Sequence, residues 1–195
     1  QPLDRETDDL DLTPFVQLER CPKLVLVAIN GMCQGGGLVM TLMSDLSVVS
    51  DRATFRVPEL LRGVADCYLG ARLASRVGIA RAKWLLFTAQ PITAAEALAM
   101  GLVNHVVPLA DLMSTTRAWA EELLDKSPQS LRIAKLVFNQ ESDQSLWAGM
   151  FAGGEMLAQH VDSAEFLEGP TAWIEKRKPN FRTYRKRQVR VAKKG

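Results

Sequence analysis

The stretch Leu24-Val25-Leu26-Val27-Ala28-Ile29, followed by Asn30-Gly31-Met32-Cys33-Gln34-Gly35-Gly36-Gly37, decides the fold. Six apolar residues bounded by turn formers predict a strand buried on both faces. The three consecutive glycines allow dihedrals and close approaches that a Cβ forbids. Leu38 to Ser44 then carries good helix formers and no breaker, so the unit reads strand, glycine turn, helix. The first N–H groups of such a helix have no intrahelical partner and attract an anion or a developing oxyanion. No Lys-Ser or Lys-Thr follows the glycines, which excludes a P-loop, and Gly31-Met32-Cys33-Gln34-Gly35 does not fit a dinucleotide fingerprint.

Working outward, Leu46 to Ser50 is a second short strand, and Ala53 to Val57 is extended and runs into Pro58-Glu59. Two apolar strands joined by a helix predict a parallel, helix-covered sheet. Beyond Leu60 strands become rare. Helices are predicted over Leu69–Val77 and Ala80–Phe87, and Thr93-Ala94-Ala95-Glu96 is a capping box opening a helix to Met100, with Gly101 at its end. Val103 to Val107 is a short strand. Helices follow over Leu109–Lys126, Gln129–Asn139, Ser142–Gln159 and Ala164–Arg177, and Pro14–Arg20 forms a short one before Cys21-Pro22. The fold class is therefore α/β first and all-helical afterwards. The expected divisions are a polar segment over 1–20, an α/β core over 21–126, a helical region over 127–181 and a basic tail over 182–195.

The 195 residues suffice for one sizeable core, and 47% apolar with 24% charged residues is ordinary for a globular protein. Charge is uneven: residues 4–11 hold five acids and one base, whereas 176–195 hold ten bases and no acid. No apolar run approaches the ~18 residues that span a bilayer. Cys21, Cys33 and Cys67 lack metal-ligand spacing and read as free thiols of a reducing compartment, cytoplasm or an organelle matrix such as that of a mitochondrion or peroxisome. His105 and His160 make no metal pattern. Cys33 and Cys67 have no histidine nearby in sequence to activate them, so each reads as a small apolar residue.

The run Pro22 to Gly31 with Gly35-Gly36-Gly37 resembles the enoyl-CoA hydratase/isomerase (crotonase) family. Further matches in the family's order are Asp45, Phe55 with Pro58-Glu59, Gly63, Arg76-Val77-Gly78, Thr93 to Ala97, Gly101-Leu102-Val103-Asn104 and Glu175-Lys176-Arg177-Lys178-Pro179-Asn180-Phe181. Together they cover about Pro22 to Phe181, and Ser127 to Phe181 is also similar to the dihydroxynaphthoyl-CoA synthase branch. The resemblance implies a crotonase-like spiral of ββα units, here partial, followed by a C-terminal helical region used for trimerisation. It implies an acyl-CoA thioester substrate, no cofactor beyond the coenzyme A of that substrate, and a homotrimer or hexamer. It also implies an enolate stabilised in an oxyanion hole of two backbone N–H groups, one of them at Gly36 in the Gly35–Gly37 turn. The other donor belongs to an earlier strand–turn unit with no counterpart in this sequence. Losing one oxyanion donor costs about 100–1,000-fold in rate, so these residues are a fragment of a longer protein, are completed from elsewhere, or are not catalytic. A fragment is expected, since an open sheet would otherwise expose apolar surface and unpaired edges.

Hydratases of the family flank the substrate with two glutamates, one to activate water and one to deliver a proton. The second matches Glu59; the first position is Val39, which transfers no proton. A single carboxylate suits double-bond isomerisation better than hydration. The bland reading of Glu59 is a surface carboxylate after a proline. Asp66 is a second candidate, either a second acid/base group or a turn and helix-capping aspartate. Trp173 and Lys176 match positions that reach the CoA of a neighbouring subunit; the alternative is a solvated helix terminus favoured by the dipole. One family member binds RNA, so a non-catalytic protein binding RNA through the tail (Arg182 to Lys194) is a competing reading. With Tyr184 the only aromatic residue there, a disordered solubilising tail is expected instead and nucleic acid is not an expected partner. A third reading keeps an enzyme but gives it thioester hydrolysis or C–C bond chemistry.

Overall fold

A computed structural model describes residues 14–65, 67–128, 130–139, 158, 161–180 and 183. Helix α1 (Pro14–Arg20) leads to strands β1 (Leu26–Ile29) and β2 (Met32–Gln34), then helix α2 (Gly36–Leu42). Strands β3 (Leu46–Ser50) and β4 (Thr54–Arg56) follow, then a 3-10 turn (Glu59–Arg62) and helices α3 (Cys67–Val77) and α4 (Ile79–Thr88). Strand β5 (Ile92–Thr93), helix α5 (Ala94–Ala99), strand β6 (His105–Val107) and a second 3-10 turn (Leu109–Asp111) come next. Helices α6 (Leu112–Leu124), α7 (residues 130–139) and α8 (Ala164–Ile174) follow among the described residues.

The first four strands deal alternately into two sheets. One has the order β1-β3-β6, all parallel; the other has β2-β4-β5, with β2 parallel and β5 antiparallel to β4. The chain thus makes one strand in each sheet and then a helix, twice over. Parallel neighbours need such a crossover because a tight turn cannot reverse the chain and return it to the same end. Between the sheets and α2–α5 lies the core, where Phe55, Leu38, Leu69, Leu73, Val49 and Val57 are almost fully buried. A core of this density makes the elements that meet it hard to displace.

Polar contacts fix the elements that carry the glycine turn. Asp45 Oδ2 accepts from Val25 N–H at 2.7 Å and from Lys135 Nζ at 2.8 Å, tying the entry of β1 to α7. Arg76 Nη2 donates to the carbonyls of Leu42 (3.0 Å) and Ser44 (3.4 Å), which closes the C-terminal end of α2. Burial, then the neighbouring Arg72, holds the Arg76 guanidinium below its usual pKa. Asn104 Oδ1 accepts from Ser47 N–H at 2.9 Å and joins the start of β3 to the approach of β6. The capping box is present as predicted: Thr93 Oγ1 accepts from Glu96 N–H at 3.2 Å and Glu96 Oε2 from Thr93 N–H at 2.7 Å.

Several expectations need correction. The first strand is shorter than Leu24–Ile29 and is not buried on both faces: Leu26, Val27 and Ala28 are only half-buried. It lies at an edge of its sheet among the described residues, so one flank has no packed neighbour there. The glycine-bounded Met32-Cys33-Gln34 is a strand rather than part of a turn, because β4 pairs with it residue for residue. Consequently α2 starts at Gly36, with two of the glycines inside its first turn. The strand predicted over Val103–Val107 begins at His105, and Leu109–Asp111 is a 3-10 turn ahead of α6. The predicted helix Ser142–Gln159 apart from residue 158, His160, and the tail beyond Thr183 lie outside the described residues.

Candidate functional site

Strand pairing explains why the glycine turn and Glu59 meet. Gln34 of β2 is the register partner of Arg56 in β4, so both strands end side by side and pointing the same way. One residue past Gln34 comes Gly35; three past Arg56 comes Glu59. Chain segments leaving the C-terminal ends of neighbouring parallel strands converge, and in open α/β sheets that is where ligands bind.

The approach is close. Gly35, the N-cap of α2, has φ +50° and ψ −122°, and a Cβ there would lie 2.6 Å from Glu59 Oε1. Only glycine satisfies both the dihedral and the space. Buried Pro58 sets the start of the 3-10 turn, and Gly63 at φ +74° ends it, so Glu59 sits in a turn closed at both ends. The turn is bonded internally: Leu61 N–H donates to Pro58 O (3.0 Å) and Val64 N–H to Glu59 O (3.1 Å).

Gly36 and Gly37, unlike Gly35, are exposed, so the first turn of α2 opens outward beside the Glu59 carboxyl. Val39 N–H makes the first helical bond, to Gly35 O at 3.0 Å. The N–H groups of Gly36, Gly37 and Leu38 precede it and have no carbonyl within the helix to bond. A half-buried carboxylate next to outward N–H groups can take a proton from a carbon while those N–H groups hold the oxygen that gains charge.

Val39 lies one turn further along, 3% exposed, in the core with Ile29, Leu42 and Val57. It adds no proton-transferring group to the site. Trp173 and Lys176, both exposed, sit at the far end of α8, with Lys176 in the left-handed region at φ +54°. Asp66 lies outside the described residues. Cys33 is buried, its Sγ 3.5 Å from Thr41 Oγ1; burial pushes its pKa up, contrary to what a nucleophilic thiolate needs. His105 stacks on Trp119, centroids 5.5 Å apart, away from the glycine turn in both sequence and sheet.

Two contacts escaped the sequence reading. Phe15 of α1 packs over Gly36, 3.5 Å from where its Cβ would be. Gly169 of α8 presses against the backbone of Arg62 in the Glu59 turn. The first carries no sequence signal, since one apolar residue in a short amphipathic helix looks like any other. The second had one: Gly169-Pro170 in the middle of a helical pattern marks a place where close approach matters more than helix propensity.

A separate cavity of about 450 Å3 is lined by Glu19, Asp45, Arg72, Arg76 and Lys135 among others. Its charges are engaged with one another or with the backbone: Lys135 with Asp45, Arg72 with Glu19, Arg76 with two carbonyls. This is an internally compensated ion-pair cluster joining α1, α3 and α7.

Residues 4–185 match the family model described as enoyl-CoA hydratase/isomerase. The short-chain-enoyl-CoA hydratase of Clostridium acetobutylicum is 34% identical over 165 residues, 84% of this chain and 63% of that protein. The crotonyl-CoA hydratase of Syntrophomonas wolfei is 33% identical over 178 residues, 91% of this chain and 68% of that protein. Among solved structures, an enoyl-CoA hydratase/isomerase from Pseudoalteromonas atlantica superposes with a TM-score of 0.79 at 31% identity, covering 86% of this chain and 68% of that one. A methylmalonyl-CoA decarboxylase gives 0.78 at 30% identity, covering 86% and 66%. The chain spans about three fifths of the length of the first curated relatives it matches.

Proposed function

The chain belongs to the enoyl-CoA hydratase/isomerase family, and on that premise we propose that it serves double-bond isomerisation in an enoyl-CoA thioester. Glu59 takes a proton from C2 of a 3-enoyl thioester, and the electrons shift into the thioester oxygen as a dienolate. The Gly36 N–H holds that oxygen. Glu59 then returns the proton at C4, leaving the conjugated 2-enoyl thioester. The observation that supports this is the approach of Glu59 Oε1 to the Gly35 turn, a geometry that any side chain at position 35 would block.

Isomerisation is preferred over the hydration that the relatives' names indicate because Val39 is apolar and buried, so no second carboxylate is present there to activate water. Trp173 and Lys176 are proposed to meet the CoA of a neighbouring subunit in a trimer or hexamer, and Asp66 to be an auxiliary acid/base group. The likeness to methylmalonyl-CoA decarboxylase favours a second reading, C–C cleavage at the same enolate. Product analysis separates them. With a 3-enoyl-CoA the proposal expects the 2-enoyl-CoA without 3-hydroxyacyl-CoA; accumulation of the hydroxy product, or release of CO2 from a 2-carboxyacyl-CoA, refutes it.

A further inference from the structure

Helix α8 crosses the Glu59 turn at Gly169. A Cβ on Gly169 would lie 1.6 Å from Arg62 O, 2.4 Å from its carbonyl carbon and 3.1 Å from its Cα. These are backbone atoms, which cannot rotate aside as a side chain can. Gly169 has no positive φ, so space alone demands glycine here. Pro170 follows it inside the helix, and proline removes a helical hydrogen bond. Two of the poorest helix formers thus stand side by side in mid-helix, Gly169 buried and Pro170 exposed, which helix stability alone would not select.

The end of α8 is also fastened. Glu168 accepts from Arg177 Nη1 (2.6 Å) and Nη2 (2.9 Å) and from Asn180 N–H (2.7 Å), folding the following chain back onto the helix. The turn that α8 presses on at Arg62 also carries Glu59, whose carboxyl lies against Gly35.

We infer that Gly169 is a positioning residue: by lacking a side chain it lets α8 seat directly on the Arg62 carbonyl, which fixes the 59–62 turn and with it the Glu59 carboxyl above Gly35. The catalytic meaning of this hold rests on the proposed role of Glu59. The turn is approached closely at two glycines, at Glu59 by Gly35 and at Arg62 by Gly169. The helical region thereby acts on the site through the backbone, without presenting a reacting group.

Gly169→Ala in the full chain tests the inference. In an open helix this change stabilises, so a harmful effect has the opposite sign to the ordinary expectation. Two readouts follow the turn: the side-chain 13C titration of Glu59, assigned with Glu59→Gln, and amide exchange at Leu61, Gly63 and Val64. The expected result is at least about a threefold change in the proton affinity of Glu59. The three amides should exchange at least about tenfold faster while Met43 and Ala82 keep their protection. An unchanged titration with unchanged exchange overturns the inference, and so does a loss of protection spread evenly through the molecule. Should Gly169→Ala not fold, Glu168→Gln loosens the end of α8 without adding an atom. Faster exchange confined to residues 61–64 then supports the inference, and no change there overturns it. Neither readout needs turnover, so a refutation of the catalytic role of Glu59 would leave the positioning result standing.

Discussion

Replacing Gly35 by alanine is the sharpest perturbation of the glycine turn. The backbone there has φ +50° and ψ −122°, where an L-residue carries strain of about 1–3 kcal/mol. The new Cβ would stand 2.6 Å from Glu59 Oε1, well inside the 3.4 Å at which ordinary contact begins, so the carboxyl must retreat by about 0.8 Å. The two effects together put the destabilisation at about 2 kcal/mol. With a urea dependence of about 2 kcal/mol per molar, the unfolding midpoint falls by about 1 M. A retreat of that size in a positioned group costs about 100-fold in turnover of a 3-enoyl-CoA. Gly31→Ala is the control, because Gly31 has open space around its Cβ position and no positive φ. If Gly35→Ala matches Gly31→Ala in both midpoint and turnover, the contact between Glu59 and the turn is not the constraint described here.

Removing the Lys135 ammonium leaves the mostly buried Asp45 carboxylate with only the Val25 N–H among its described partners, so Lys135→Met should cost about 2 kcal/mol in urea unfolding. A cost below about 0.5 kcal/mol would make the pair a surface-like contact. The Arg177 side chain first, then the Asn180 N–H, holds the Glu168 carboxyl at about 2, down from 4.5. Because the folded value is the lower one, the fastening of α8 is fully present above about 4.5 and is lost as pH falls through about 2. The Asn180 amide proton resonance should therefore titrate with a midpoint near 2; a midpoint near 4.5 contradicts the latch.

Much of this was legible in the sequence because local chemistry and tertiary structure agree. The Thr93–Glu96 capping box, the strand Leu46–Ser50 and the helix Pro14–Arg20 stand where propensity and capping put them. Met32-Cys33-Gln34 was not legible as a strand, since three residues between glycines carry no period and only pairing with Thr54–Arg56 makes them one. Burial of β1 was overestimated because an apolar run reports what can be buried, not what covers it. At the site, Glu59 and the glycine turn were identified separately by motif. Their meeting depends on the Gln34–Arg56 register, and the backing of the Glu59 turn by Gly169 joins residues more than a hundred positions apart. Such long-range approaches leave only a weak trace in sequence, a glycine placed where a helix would favour something else.

The most direct test of the central claim is Glu59→Gln, assayed with a 3-enoyl-CoA in D2O. Glutamine keeps the shape of the side chain but cannot shuttle a proton, so turnover should fall by at least about 100-fold while the unfolding midpoint stays unchanged. Turnover equal to that of the unsubstituted protein, with the same deuterium incorporation into product, would contradict the assignment of Glu59 as the group that moves the proton.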